Sequence, residues 1–194
     1  MKKIDLIIKI EEAFNQQKYP GDEKLVYDNS GKHLECIEVK ELFKNKKWQE
    51  LPNNFLFEAS TSLNFFSKEA FKYYLPSFMI FSLKEYVEAD GIPDVLVNLL
   101  TLPSETDIVL LANAIKKHKI DMAMNNLDFN KILQNNLKNT DQLIHQFFEK
   151  VNLFTKEQNE AILQFLQFID KNHSDDFFNN EPQTAINRYW FIYN

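Results

Sequence analysis

The residues best suited to chemistry cluster in His33-Leu34-Glu35-Cys36-Ile37-Glu38, with Asp22 and Asp28 shortly upstream. An imidazole, a thiol and carboxylates this close together suggest a metal site, or a nucleophile beside a base. The metal reading fails on ligand number. A zinc site takes four ligands at recognisable spacings, and the remaining histidines, His118, His145 and His173, stand singly and far apart. The nucleophile reading fails on charge, because acidic neighbours raise a thiol's pKa while activation needs an electropositive pocket. Cys36 is therefore expected to pack as a small buried hydrophobe. Paired carboxylates such as Glu35/Glu38 or Glu11/Glu12 could divide acid and base roles. On the helices of an acidic protein they read instead as a solvated face. No metal and no cofactor are expected.

Composition narrows the classes further. The 194 residues are 44% hydrophobic and 26% charged, the balance of a globular chain with a buried core. Twenty-two basic residues against twenty-eight acidic ones give a net charge of −6, and Arg188 is the lone arginine. A general nucleic-acid binder needs a cationic face to displace phosphate counterions, so that class is excluded. The lysines Lys44, Lys46 and Lys47 beside Trp48 do not outweigh that acidic balance, and a solvated turn accounts for them. Only Gly21, Gly31 and Gly91 are glycines, too dispersed for a phosphate-cradling loop, a dinucleotide fingerprint or a nucleophile elbow. One cysteine closes no internal disulfide. The opening MKKIDLIIKIEEAF is broken by charges and lacks a small-residue cleavage site, so no signal peptide is read. No apolar run approaches the roughly 18 residues that span a bilayer. A cytoplasmic protein without membrane association is expected.

The elements that would position these side chains are helical. Leu6, Ile10, Ala13 and Phe14 form an amphipathic stripe. From His33 to Phe43 the pattern is ambiguous: Cys36, Val39 and Phe43 fit a helix, whereas Leu34, Cys36 and then Ile37, Val39 could alternate as a strand. The helix is preferred because Glu38, Lys40, Glu41 and Lys44 would form its solvated side. Ser67 is placed to cap a helix carrying Phe71, Tyr74, Leu75, Phe78 and Met79, with Ile80, Phe81 and Leu83 on its other side. That helix should be central, kinked or divided at Pro76, and ended by Asp90-Gly91. Pro93 opens the next helix. Ser104-Glu105-Thr106-Asp107 and Thr155-Lys156-Glu157-Gln158 read as capping boxes. Ile108, Leu111, Ala112 and Ile115 follow the first, and Ile162, Phe165, Leu166 and Ile169 the second. Between them lie the stripes Phe129, Ile132, Leu133, Leu137 and Leu143, Phe147, Phe148, Val151. Eighteen phenylalanines supply large rings for the core. The aromatic tail Arg188-Tyr189-Trp190-Phe191-Ile192-Tyr193 should dock on that core. The fold class expected is all-α, a single-domain multi-helix bundle over residues 1–194, with a minor short hairpin near residues 25–35.

Several blocks recur in a familiar order: Tyr19-Pro20-Gly21-Asp22, Leu34-Glu35-Cys36-Ile37-Glu38-Val39, Trp48 with Leu51, and the stretch from Leu63 to Pro76. Ile92-Pro93-Asp94, Phe154-Thr155-Lys156-Glu157-Gln158 and Arg188-Tyr189-Trp190 complete the series. From about residue 10 to residue 190 the chain resembles an uncharacterised bacterial family known only as a domain of unknown function. Lys68 stands where such proteins often have proline, and residues 105–140 read as an insertion relative to the family. The resemblance implies a bacterial origin and a compact domain. It brings no activity and no catalytic residues.

Three functional classes follow. The first is a non-enzymatic binding protein, most concretely an immunity protein that neutralises a toxin. Many toxins are cationic because they attack nucleic acid or membranes, and an acidic helical surface would speed association with a basic toxin. The expected partner-binding residues are Glu35, Glu38 and Glu41, together with Glu85, Glu88, Asp90 and Asp94 flanking Gly91. The second class is an enzyme of unfamiliar type using carboxylates near residues 22–38. The third is a module that forms a homo-oligomer through aromatics near its tail. The first is preferred.

Overall fold

The structure, a computed structural model, describes residues 1–117 and 129–194. His118 and the side chains of Leu111, Ile115, Phe129 and Ile132 lie outside the described residues. The fold is all-α, and the described residues contain no strand. Among them ten α-helices follow in order: α1 (Lys3–Phe14), α2 (Leu34–Phe43), α3 (Asn53–Glu58), α4 (Lys68–Lys84), α5 (Ile92–Leu99), α6 (Glu105–Lys117), α7 (Phe129–Lys138), α8 (Thr140–Val151), α9 (Lys156–His173) and α10 (Glu181–Arg188). Two compact units result. The first joins Met1–Thr101 to Glu149–Asn194, and the second is Leu102–Phe148. The segment expected to be an insertion, 105–140, falls within this second unit. There α6 packs on α7, and the backbone amide of Ser104 donates to Asp107 Oδ2 at 3.0 Å, the reciprocal arm of a capping box.

In the first unit α4 is the central element. From Ala70 to Leu83 all but Lys72 are buried, so the helix is apolar on every side. Ser67 caps it by accepting from the Ala70 amide at 3.0 Å, and its hydroxyl also donates to the Lys24 carbonyl at 2.5 Å. The helix is not divided at Pro76; it runs unbroken to Lys84 and ends before the Asp90-Gly91 turn. The proline deletes one amide donor, and packing on all sides outweighs that loss. Helix α1 packs against α4 and α9, burying Leu6, Ile10 and Phe14. Helix α9 buries Ile162, Phe165, Leu166 and Ile169, and both arms of its capping box form between Thr155 and Gln158. An aromatic cluster anchors α2: the Phe43 ring lies 4.8 Å from both Phe66 and Tyr74 in edge-on geometry.

The hairpin expected near residues 25–35 does not form. Val26 instead makes a single antiparallel bridge with Phe66, through Tyr27 N to Phe65 O at 3.0 Å and Ser67 N to Leu25 O at 3.1 Å. This pairing engages the Leu25 carbonyl and the Tyr27 amide, two backbone groups that a hairpin would have used. Residues 28–33 turn directly into α2: the Ser30 amide donates to Asp28 Oδ1 at 2.8 Å, and Gly31 takes φ +74°, a conformation open to glycine. The tail docks as expected, with Trp190 fully buried.

Candidate functional site

The chemistry-bearing segment near α2 is tied up locally. Glu23 accepts from Lys40 Nζ at 3.0 Å and from Asn29 Nδ2 at 2.6 Å, which fastens the loop to the helix. Asp22 accepts from the Tyr19 hydroxyl at 2.6 Å; burial and this carboxylate push the Tyr19 phenol up to about 12. Tyr27 Oη lies 2.9 Å from His33 Nε2. His33 Nδ1 is 3.2 Å from Glu35 Oε2, an ion-pair distance without hydrogen-bond alignment. Cys36 is buried, with 1% of its surface exposed. Asp22, Glu23, Asp28 and Glu35 thus serve separate contacts. Among the described residues no group of three or more His, Cys, Asp or Glu side chains is placed to hold a metal.

The two acidic sets take different surroundings. Glu35, Glu38 and Glu41 are exposed on α2 beside Leu34, Ile37 and Leu42, which are exposed as well. Glu85, Glu88 and Asp90 occupy the turn between α4 and α5, where they line two grooves that share Phe57. One groove, about 340 Å³, places Glu85 and Glu88 beside Phe57 and Phe81. The other, about 360 Å³, sets Glu58 and Asp90 against Phe57, Ile92 and Val95. None of these four carboxylates forms an ion pair with another described residue. Asp90 holds φ +49°, which Asp tolerates better than most residues.

Asp94, expected to belong with this set, has a different electrostatic environment. Asp94 is exposed, yet desolvation by the atoms packed around its carboxyl comes first, opposed by a backbone hydrogen bond. The neighbouring Glu181, Asp176 and Asp90 carboxylates add to the desolvation, holding the carboxyl above its ordinary range. Tyr86 sits in the same group: burial, then Asp176, raises its phenol, and its ring stacks on His173 with centroids 3.5 Å apart. A raised folded-state pKa means that Asp94 favours folding when protonated. That contribution is complete below the unfolded pKa of about 3.9 and is lost as pH rises through the folded value. Asp94→Asn should therefore raise the urea midpoint at neutral pH, with the gain shrinking toward about pH 3. An equal gain at both pH values would contradict this assignment.

Two larger grooves carry mixed charge. One, about 650 Å³, includes Lys18, Lys24 and Lys72 but also Glu12, Glu69 and Glu157, and Lys72 Nζ donates to the Leu153 carbonyl. The other, about 430 Å³, runs past Trp48 between Glu12 and Lys84. Neither assembles a nucleophile with a base and an orienting group. Phe57 and Glu58 give no signal in the sequence because α3 is six residues long, too short for a periodicity to show which side is buried. Asp176 and Glu181 give none because their link to Asp94 is tertiary.

The chain matches a family of unknown function, DUF6714, over residues 2–193. It belongs to that family. The DUF6714 assignment accords with the resemblance carried by the Tyr19–Asp22, Leu34–Val39 and Arg188–Trp190 blocks. No curated protein and no solved structure matches the chain. Among the described residues of this DUF6714 member, no helix is long and apolar enough to cross a membrane.

Proposed function

We propose that the chain is a non-enzymatic binding protein that captures a basic protein partner on its acidic helical surface, most concretely as an immunity protein neutralising a toxin. The observation that supports this reading is the face around Phe57. Four exposed carboxylates, Glu58, Glu85, Glu88 and Asp90, line grooves that contain the exposed Phe57 ring and form no ion pair among the described residues. Held near one another, like charges repel and gain nothing for the fold. A cationic partner would relieve that repulsion on docking, and the field of a chain at −6 would steer its approach. Glu38 and Glu41 on α2, beside exposed Ile37 and Leu42, offer a second acidic patch for the same partner.

The test is biological neutralisation. The gene immediately upstream should encode a basic product that stops growth when expressed alone, and co-expression of this chain should restore growth. A product that is harmless, or one whose toxicity persists at equimolar expression of a folded chain, contradicts the reading.

A further inference from the structure

The groove floors differ from a plain anionic surface. Phe57 is 48% exposed although it neighbours buried Leu56 on a short helix, and it forms part of both grooves. Phe81 and Ile92 lie buried behind the two grooves, which leaves Phe57 as the exposed ring of both, with half-buried Val95 beside it in one. Val87, between Glu85 and Glu88, is 82% exposed. Each groove therefore sets the exposed Phe57 ring beside two carboxylates, Glu85 and Glu88 with Asn53 and Asn54 in one, Glu58 and Asp90 with Ser60, Thr61 and Asn64 in the other. A simple hydrophobic occupant would leave these carboxylates against an uncharged neighbour. An ammonium would satisfy the charge but, being compact and strongly hydrated, would gain little from the rings. A guanidinium fits both demands, because its plane stacks on an aromatic ring while its edge donates bidentately to carboxylates.

We infer that the two grooves sharing Phe57 receive arginine side chains of the basic partner, an assignment that rests on the acidic-face reading above. The arginine stem lies along the exposed Phe57 ring, with half-buried Val95 beside it in one groove, and the charged fork reaches the carboxylates that share each groove. Selectivity for arginine over lysine comes from the ring, and affinity for either comes from the carboxylates.

Titration calorimetry of the full chain with octa-arginine and octa-lysine peptides at low salt tests the two parts separately. Octa-arginine should bind several-fold tighter than octa-lysine. Phe57→Leu should erase that preference, a loss of about three- to fivefold for the arginine peptide. Glu85→Gln with Glu88→Gln should weaken both peptides. If both bind equally and Phe57→Leu changes nothing, the arginine assignment is overturned while the acidic-face reading stands. The same holds if only neutralising Glu35, Glu38 and Glu41 weakens binding. If neither peptide binds, both fall.

Discussion

Trp190→Ala is expected to cost about 3–5 kcal/mol of stability, lowering Tm by about 6–20 °C for a chain of this size. The indole is fully buried, and its Nε1 donates to the Leu100 carbonyl at 2.6 Å. Removing it leaves both a cavity and an unsatisfied carbonyl at the end of α5, and the second adds to the first. Tyr189 packs edge-on against Trp190 at 5.1 Å, so the cavity wall is itself aromatic and cannot collapse far. The control is Phe191→Ser one position on, where the side chain is 55% exposed. That change should stay within about 0.5 kcal/mol. Equal effects at the two positions would mean that the tail is not docked as described. The same packing bears on the self-association reading: deleting residues 188–194 would remove Trp190 and destabilise the fold. Substituting Phe191 and Ile192, both exposed, tests oligomerisation without that confusion.

The second large effect is expected in association kinetics. The triple variant Glu85→Gln, Glu88→Gln, Asp90→Asn should slow capture of a basic partner about tenfold or more at low salt, within the range that steering can supply. Most of that loss should disappear near 1 M salt, where the Debye length shrinks to about 3 Å. All three side chains are exposed, and asparagine accepts the positive φ at residue 90. Stability should therefore hold or rise slightly as mutual repulsion is removed. Stopped-flow binding at several ionic strengths measures this directly. Unchanged on-rates at low salt would move the interface elsewhere.

How much of this is legible in the sequence depends on how local the cause is. The Thr155–Gln158 box and the Ile162–Ile169 stripe are written within fifteen residues, and both form as read. Ser67 likewise announces the start of α4. Pro76 does not divide α4: its local cost is plain in sequence, whereas the packing that outweighs it comes from distant elements. The Val26–Phe66 bridge joins segments forty positions apart, and no turn signal near residue 30 could reveal that partner. The acidic residues of the 85–90 turn are visible as charges. Their grooves depend on Phe57 and Glu58 from another helix, so only the folded chain brings them together. Asp94 looks like their equal and takes a different electrostatic neighbourhood, since Asp176 and Glu181 come from the far end of the chain.

The most direct test of the central claim is affinity capture with the tagged full chain from its native cells, eluted first at low and then at about 1 M salt, a concentration that screens surface charge, with every species weighed. One stoichiometric partner carrying net positive charge should be retained at low salt, released at high salt, and lost with the triple variant. Recovery of the chain alone, or of a partner that ignores both salt and the triple variant, would contradict that claim.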